Sequence, residues 1–399
     1  MKRSTGKVMA HGIHFFMNPG PTNIPDRVLR AMDRGAVDFN AAHFRAIQEE
    51  CFAGLKRVFK TEGEILGYAA TGHGAWEAAL VNLFSPGDKV LVVESGFFSL
   101  NWGLRGEAFG LEVETLANDW RRPCDPSRLE ERLREDREHR IKAVLLVHSE
   151  TSTGVANDVA ALRKAIDAAR HPALYLVDVI SSLASMDFHT DEWGVDVVVS
   201  GSQKGLMLPT GMAFTGVSTR AVAASAEAQL PRVYWDWRRL LGEASQAYWN
   251  GTAPVHLFYG LQDALRMIEE EGLDNIFARH HRLAEATRRA VRVWRQNDGP
   301  AIFAIDPRAQ SDSITAVQVP DGYDADKVRQ LCLDKFNVSL GGGLDRLRGH
   351  VFRIGHLGDL NEPMILGALA AVEMALELSG VPHGKGGVAA AMDYLVADE

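Results

Sequence analysis

The chain has 399 residues and a formal net charge of −9, from 43 basic and 52 acidic residues. It contains no long basic stripe, so the electrostatic pattern of a nucleic-acid-binding protein is absent. Its hydrophobic content of 46% and charged content of 24% are typical of a globular protein with a large core. No apolar stretch has the length of a membrane span, and the N-terminus lacks a signal-peptide pattern. We therefore expect neither a nucleic-acid nor a membrane partner.

The cysteines are few and far apart in the sequence. Cys51, Cys124 and Cys332 are odd in number, which argues against a disulfide framework, and their spacing does not fit a zinc site. A reducing compartment agrees best with this usage. We therefore expect a cytoplasmic protein without a metal site.

Predicted helices and strands alternate through the first half of the chain. Residues 1–17 are expected to form a loosely held arm, and a rigid Pro/Gly turn follows. Hydrophobic periodicity predicts helices over 26–32, 44–59, 75–84, 100–109, 126–137 and 158–169, and strands over 63–68, 89–94, 111–116, 143–148, 173–178, 195–200 and 212–217. Such regular alternation predicts an α/β fold with a mostly parallel sheet flanked by helices.

The pattern changes after residue 231. Two long helices are predicted over 255–271 and 274–294, and the second has the length to link two domains. The remainder mixes strands with helices, which is typical of a smaller α+β domain. We therefore expect a large domain over 18–272 and a small C-terminal domain over 273–399.

The segment around Lys204 is the main candidate for a catalytic site. The β-branched run Val197-Val198-Val199 breaks into small polar residues and then presents this single lysine. In open α/β sheets, ligands bind outside the carboxyl ends of such strands. A lysine enclosed there has a lowered pKa, and its neutral amine can condense with an aldehyde. A solvated loop lysine is the alternative interpretation of this segment alone.

Two further strand ends carry suggestive residues. The Thr71-Gly72-His73 turn joins a strand to a helix, and the N–H groups at such a helix start can bind a phosphate. Asp178 ends an apolar strand, where a buried carboxylate needs a cation or a hydrogen-bond donor. A plain capped helix and a capping aspartate are the respective alternatives. In combination with Lys204, these residues predict a pyridoxal 5′-phosphate site, with the ring nitrogen on Asp178.

Five motifs, in this order, resemble the class V, fold-type I aminotransferases, most closely the serine–glyoxylate and alanine–glyoxylate enzymes. The resemblance extends from about Asn18 to about Ala391. The motifs are Pro19-Gly20-Pro21-Thr22-Asn23-Ile24-Pro25, Glu150-Thr151-Ser152-Thr153-Gly154, Asp191-Glu192-Trp193-Gly194-Val195-Asp196, Ser200-Gly201-Ser202-Gln203-Lys204-Gly205 and Phe352-Arg353-Ile354-Gly355-His356-Leu357-Gly358. The large domain then becomes the predicted cofactor-binding domain.

The resemblance implies a role for each matching residue. Lys204 would form the Schiff base and shuttle the proton, and Gln203 would contact the phosphate. Phe98 would stack on the cofactor ring, and Ser152 would lie near its phenolic oxygen. Thr252 matches a residue that reaches the cofactor phosphate of a neighbouring subunit, which implies a homodimer that could pair into a tetramer.

Arg353 matches the arginine that holds the substrate α-carboxylate, and a guanidinium binds a carboxylate through two parallel hydrogen bonds. A structural salt bridge is the alternative. The chain departs from the serine–glyoxylate enzymes at 38–43, where Asp-Phe-Asn-Ala-Ala-His replaces an Asp-His-Arg-x-Pro segment. Because the arginine of that segment is absent, the resemblance leaves the identity of the amino donor open.

The resemblance implies a ping-pong aminotransferase that moves an amino group from a small amino acid, with serine or alanine favoured, to a 2-oxo acid such as glyoxylate. Three alternatives remain open at this stage. They are a lyase or β-eliminase of the same fold, an aminotransferase with another donor such as aspartate, and an inactive binding protein. A cysteine desulfurase is disfavoured because neither Cys124 nor Cys332 lies on an evident mobile loop.

Overall fold

A computed structural model of the protein describes residues 11–241 and 249–397. The described chain separates into two compact units. The large unit comprises residues 24–278 and 304–311, and the small unit comprises 279–303 with the described parts of 1–23 and 312–399. Within the α9 helix defined below, the chain passes from one unit to the other after Ala278.

The strands of the two units are β1 Phe15–Met17, β2 Glu64–Tyr68, β3 Lys89–Val93, β4 Glu112–Leu116, β5 Ile141–Val147, β6 Ser149–Glu150, β7 Val155–Ala156, β8 Leu174–Asp178, β9 Val197–Gly201, β10 Ala213–Val217, β11 Ala301–Ile302, β12 Ile314–Gln318, β13 Val338–Gly342 and β14 Val351–Gly355. The helices are α1 Asp26–Met32, α2 Ala42–Phe59, α3 Gly72–Leu83, α4 Phe97–Ala108, α5 Pro126–Glu135, α6 Val159–Ala168, α7 Thr219–Ser225, α8 Val255–Glu271, α9 Leu273–Trp294, α10 Ala325–Phe336, α11 Glu362–Ser379 and α12 Gly387–Ala397.

The large unit is built on a sheet that, within the described residues, has seven strands in the order β2-β10-β9-β8-β5-β3-β4. The strands from β9 to β4 pair in parallel, whereas β10 runs antiparallel to both of its neighbours. The predicted α/β fold with a mostly parallel sheet is therefore confirmed. Because parallel strands share one direction, the carboxyl ends of β5, β8 and β9 lie at the same sheet edge.

Both faces of this sheet are buried, which explains the continuous apolar runs in its strands. On β3, Leu91 and Val93 pack into the hydrophobic cluster on one face, and Val90 and Val92 pack into the cluster on the other. The first cluster includes residues of α2, α5, α6 and α8, and the second includes residues of α3, α4 and α7. The central strands of the sheet are thus covered on both faces.

The small unit has its own sheet and core. Within the described residues, five strands lie in the order β1-β13-β14-β12-β11, and α10, α11 and α12 contribute to the same hydrophobic cluster. Residues 15–17 of the predicted arm form strand β1, which pairs in parallel with Val338–Leu340. Met17 is fully buried there, and residues 1–10 lie outside the described residues.

A few short elements are not evident from hydrophobic periodicity. They are β1, the β6–β7 hairpin, α7, β11 and α12, each of at most 11 residues. Among the described residues, no helix is both long and apolar enough to cross a membrane. Strands β5, β8 and β9 lie within two residues of their expected positions, whereas α3 and α4 each begin three residues earlier than expected.

Candidate active site

Lys204 lies in the turn that follows β9 and is buried, with 8% of its surface exposed. Its Nζ donates a hydrogen bond to the Ser181 hydroxyl at 3.2 Å, and that hydroxyl in turn contacts the hydroxyl of Thr151. The lysine amine is thus held by a buried polar group. Ser181 is not among the predicted site residues, because only the tertiary fold brings its hydroxyl to this amine.

A glycine explains how the lysine turn comes so close to the segment after β8. At Gly205, an added Cβ would lie 2.1 Å from the carbonyl oxygen of Leu183 and 3.1 Å from the carbonyl carbon of Ala184. Any larger residue would push the two backbone segments apart. The Lys-Gly pair in the sequence therefore reflects close backbone packing as well as chemistry.

Asp178 ends β8 and is almost fully buried, with 3% of its surface exposed. Its carboxylate accepts a hydrogen bond from Trp76 Nε1 at 2.8 Å and another from the Ile180 N–H at 2.6 Å. Burial raises the pKa of Asp178 to about 7, and the nearby charge of Glu150 acts in the same direction. The two hydrogen bonds and the charge of Lys204 oppose this shift. A protonated ring nitrogen would favour the charged carboxylate further.

The N-terminus of α3 packs closely against the segment that follows Asp178. Thr71 is the N-cap residue, and its side chain makes no capping hydrogen bond to the helix. An added Cβ on Gly72 would lie 2.2 Å from Ile180 Cδ1, and one on Gly201 would lie 2.8 Å from Gln203 Oε1 and 3.3 Å from the Gly72 nitrogen. The two glycines thus bring the first-turn N–H groups and the Gln203 amide together, a suitable donor set for a phosphate.

An aromatic surface borders the same region. The His73 ring lies 4.6 Å from the Trp76 ring, measured between centroids, and is stacked on the Phe98 ring at 6.2 Å. Burial lowers the pKa of His73 to about 4, and the charges of Arg105 and Lys204 lower it further. At neutral pH, His73 is therefore an uncharged ring that contributes an apolar surface rather than a cation.

Ser152 lies just behind this aromatic surface. Its hydroxyl donates to the Glu150 carboxylate at 2.6 Å and accepts a hydrogen bond from the Phe97 N–H at 3.0 Å. Glu150 also accepts from the N–H groups of Phe98 and Ser99, both at 3.1 Å, so the pair fixes the start of α4. The direct cofactor contact expected of Ser152 stays a prediction. Glu150 is not among the predicted site residues, although it lies in the same motif as Ser152.

Thr252 and Arg353 are the remaining predicted site residues. Thr252 is exposed in the loop before α8. Arg353 belongs to the small unit, where β14 buries it to 8% exposure and its Nε donates to the Gly342 carbonyl at 2.8 Å. An added Cβ on Gly341 would lie 3.2 Å from Arg353 Cβ and 2.7 Å from Pro19 Cδ, so the arginine lies beside the N-terminal Pro/Gly turn.

The residues of the large unit fit pyridoxal 5′-phosphate. The cofactor requires a phosphate cup, an acid for its ring nitrogen, a flat apolar surface and an amine for its aldehyde. The start of α3 and Gln203 supply the phosphate cup, and Asp178 supplies the acid for the ring nitrogen. Phe98 and His73 supply the flat apolar surface, and Lys204 supplies the amine. All of these groups lie at the carboxyl edge of the parallel strands, which is the usual ligand-binding edge of an open α/β sheet.

Known proteins are similar to this chain in sequence and in fold. Serine–glyoxylate aminotransferase of Methylorubrum extorquens is 46% identical over 390 residues, with 96% of each chain covered. L-aspartate–glyoxylate aminotransferase of Paracoccus denitrificans is 43% identical over 378 residues, with 94% of each chain covered. The crystal structure of ureidoglycine–glyoxylate aminotransferase from Bacillus subtilis matches with a TM-score of 0.88 and 27% identity, covering 98% of this chain and 100% of that one.

The sequence profile of one family, Aminotransferase class-V, matches residues 14–345. The predicted family, enzyme class and cofactor are thereby confirmed, and the fold agrees with the structural match. The chain belongs to the class-V family of pyridoxal phosphate-dependent aminotransferases.

Proposed function

We propose that the protein transfers an amino group from a small amino acid, with serine or alanine favoured, to glyoxylate. The observation that carries this proposal is the buried amine of Lys204 at the same sheet edge as Asp178 and the start of α3. The three relatives reported above support the acceptor, since each carries glyoxylate in its name. They differ in the donor, which is serine, aspartate or ureidoglycine.

Each residue of the site has a task that follows from its position. When bound, pyridoxal phosphate supplies the electron sink for a carbanion at the substrate α-carbon. Lys204 carries the proton to and from that carbon, because its amine is buried and held by Ser181. Asp178 keeps the ring nitrogen protonated, and the Trp76 indole orients the carboxylate for this role. Phe98 and His73 provide the flat surface that excludes water from one face.

Arg353 is the proposed ligand of the substrate carboxylate. Its Nε is fixed by the Gly342 carbonyl, and β13 packs closely against it, since an added Cβ on Gly341 would lie 3.2 Å from Arg353 Cβ. A guanidinium that is buried and oriented in this way suits a planar carboxylate. Both the donor and glyoxylate carry such a group, so one arginine can serve both half-reactions.

We also propose that the enzyme is a homodimer in the cytoplasm. Thr252 is exposed in the chain, which suits a residue that reaches a neighbouring subunit's phosphate. All three cysteines are free and buried, which suits a reducing compartment. Sedimentation of the purified protein tests the dimer, and a monomer that is fully active would contradict it.

The cysteines also weigh against desulfuration. Burial raises the pKa of the Cys124 and Cys332 thiols to about 12, and it raises the pKa of Cys51 as well. A desulfurase needs an accessible thiolate as its nucleophile. A lyase remains the second candidate, since elimination uses the same cofactor and the same lysine.

Absorbance of the bound cofactor tests the proposed reaction directly. Purified protein loaded with pyridoxal phosphate is mixed with serine, alanine or aspartate singly, and then with glyoxylate. We expect one donor to convert the cofactor to pyridoxamine phosphate and glyoxylate to restore it. Release of ammonia and pyruvate without that conversion would establish the lyase instead.

Lys204→Ala should abolish both half-reactions and the covalent attachment of the cofactor by borohydride. The matched control is Lys142→Ala, which removes an exposed lysine from β5 of the same sheet. The control should retain full activity and attachment. Turnover that persists in the Lys204 variant would overturn the proposal.

A further inference from the structure

We propose that Ser181 is a further catalytic residue, which holds the amine of Lys204 in place for proton transfer, and that Thr151 positions Ser181. The role in transamination rests on the proposed function, whereas the contact itself does not. Lys204 Nζ donates to Ser181 Oγ at 3.2 Å, and the Ser181 and Thr151 hydroxyls are in hydrogen-bond contact. These three side chains form a continuous polar chain in the protein interior.

The backbone is built to make this contact. Gly205 permits the lysine turn to approach Leu183, where an added Cβ would lie 2.1 Å from the carbonyl oxygen. The segment that carries Ser181 is fixed by its own hydrogen bonds, from the Leu183 N–H to the Val179 carbonyl at 2.8 Å and from the Ser185 hydroxyl to the Ser181 carbonyl at 3.0 Å. Ser181 is therefore presented to the lysine from a rigid turn.

A hydroxyl suits an amine that changes its protonation state. It accepts a hydrogen bond from the charged ammonium and can donate one to the neutral amine. Ser181 is 2% exposed and Thr151 is 6% exposed, so bulk water does not reach this contact freely. Thr151 gives the Ser181 hydroxyl a second partner, which limits its rotation. The amine is thereby kept in one position while a proton arrives and leaves.

The next residue in the chain offers a matched control. Ser182 is fully buried, and its hydroxyl is paired with His148 Nδ1 at 2.9 Å rather than with Lys204. Ser182→Ala therefore deletes a buried hydroxyl from the same turn without removing the contact to the lysine. A general loss of stability would affect both serine variants, whereas a specific effect on Lys204 would appear in Ser181→Ala alone.

The test measures the reactivity of the Lys204 amine in the full-length protein freed of cofactor. Trace acetylation with acetic anhydride is followed against pH by mass spectrometry, with Lys142 in the same digest as the reference. In Ser181→Ala, we expect the midpoint of the Lys204 profile to fall by about one pH unit, because a hydrogen bond to the charged amine is lost. Thr151→Val should shift it in the same direction by less, and Ser182→Ala should not shift it.

Steady-state kinetics of the loaded enzyme complete the test. Ser181→Ala should lower kcat about tenfold with little change in KM, because the hydroxyl contacts the reacting amine and not the substrate. Equal midpoints in wild type and Ser181→Ala, or an equal shift in Ser182→Ala, would overturn the proposal. A wild-type protein that binds no pyridoxal phosphate would instead refute the proposed function, and the labelling result would still stand.

Discussion

Two buried carboxylates near the same sheet edge differ in how their hydrogen bonds connect them to the fold. Glu150, in β6, is fully buried and accepts hydrogen bonds from Ser152 and from the N–H groups of Phe98 and Ser99. Asp178, at the end of β8, is buried almost as well and accepts from Trp76 and one backbone N–H. Burial raises the pKa of both acids.

The two acids differ in the origin and effect of their hydrogen-bond donors. The donors of Glu150 come from its own turn and from the first turn of α4, so this acid ties two elements together. Asp178 is held in one orientation by its two donors and retains acceptor capacity, since a carboxylate offers about four lone-pair sites. A buried acid of the first kind stabilises the fold, and one of the second kind is available for a cationic ligand. The following variants test this distinction.

Of the variants at the two acids and at His73, Asp178→Asn should have the largest effect on catalysis. The amide keeps the size of the side chain but cannot pair with a protonated ring nitrogen. Loss of a buried ion pair costs about 3–5 kcal/mol, so we expect kcat/KM of the loaded enzyme to fall by about 10²–10⁴-fold. Steady-state kinetics measure this, and a decrease of less than about fivefold would show that Asp178 is not the ring-nitrogen partner.

The same variant should stabilise the cofactor-free protein at high pH. Because the folded-state pKa of Asp178 is raised from 3.8 to about 7, the folded protein binds this proton more tightly than the unfolded chain. The contribution of Asp178 to stability is therefore full below about pH 4 and is lost as the pH rises towards about 7, by up to about 4 kcal/mol. Urea unfolding at pH 5 and pH 8 should show a weaker pH dependence for Asp178→Asn. An equal change in the free energy of unfolding between pH 5 and pH 8 in wild type and Asp178→Asn would mean that a cation already neutralises Asp178.

Compared with Asp178→Asn, Glu150→Gln should lower the free energy of unfolding more and kcat/KM less. Glutamine has one acceptor oxygen, and its NH₂ group would face either the N–H groups of Phe98 and Ser99 or the donors of Ser152. An unsatisfied buried donor costs about 1–3 kcal/mol, so the free energy of unfolding should fall by about that amount. Thermal unfolding measures this. A catalytic loss as large as that of Asp178→Asn would erase the distinction between the two acids.

The sequence was sufficient to predict the sheet edge but not the side-chain contacts behind it. Lys204, Asp178 and the start of α3 follow strands or precede helices with clear periodicity, so their shared location could be inferred from topology. The contact of Ser181 with Lys204 depends on a packing distance between two loops. The role of Glu150 depends on a helix start about fifty residues earlier in the chain. Neither leaves a periodic pattern in the sequence.

The orientation of β10 and the strand in the predicted arm illustrate the same limit for the fold. Strand periodicity identified 212–217 but carries no information on direction, and β10 runs antiparallel to β9. Strand β1 is only three residues long, which is too short for alternation to be recognised, and its pairing partner lies more than 300 residues away. Long-range pairing decides both features.

His73→Phe should have the smallest effect on kcat/KM, although the His73 ring contacts residues that donate hydrogen bonds to both acids. His73 contacts Trp76, which donates to Asp178, and Phe98, whose N–H donates to Glu150. Because its pKa is lowered to about 4, the imidazole is already uncharged at the pH of any practical assay, and phenylalanine preserves the flat ring. We expect kcat/KM to change less than about threefold, with an unaltered profile from pH 6 to pH 9. His73→Ala removes the ring contacts, worth about 1 kcal/mol, and should lower kcat/KM about fivefold. A loss in His73→Phe as large as in His73→Ala would show that an imidazole nitrogen, rather than the ring surface, connects the two acids.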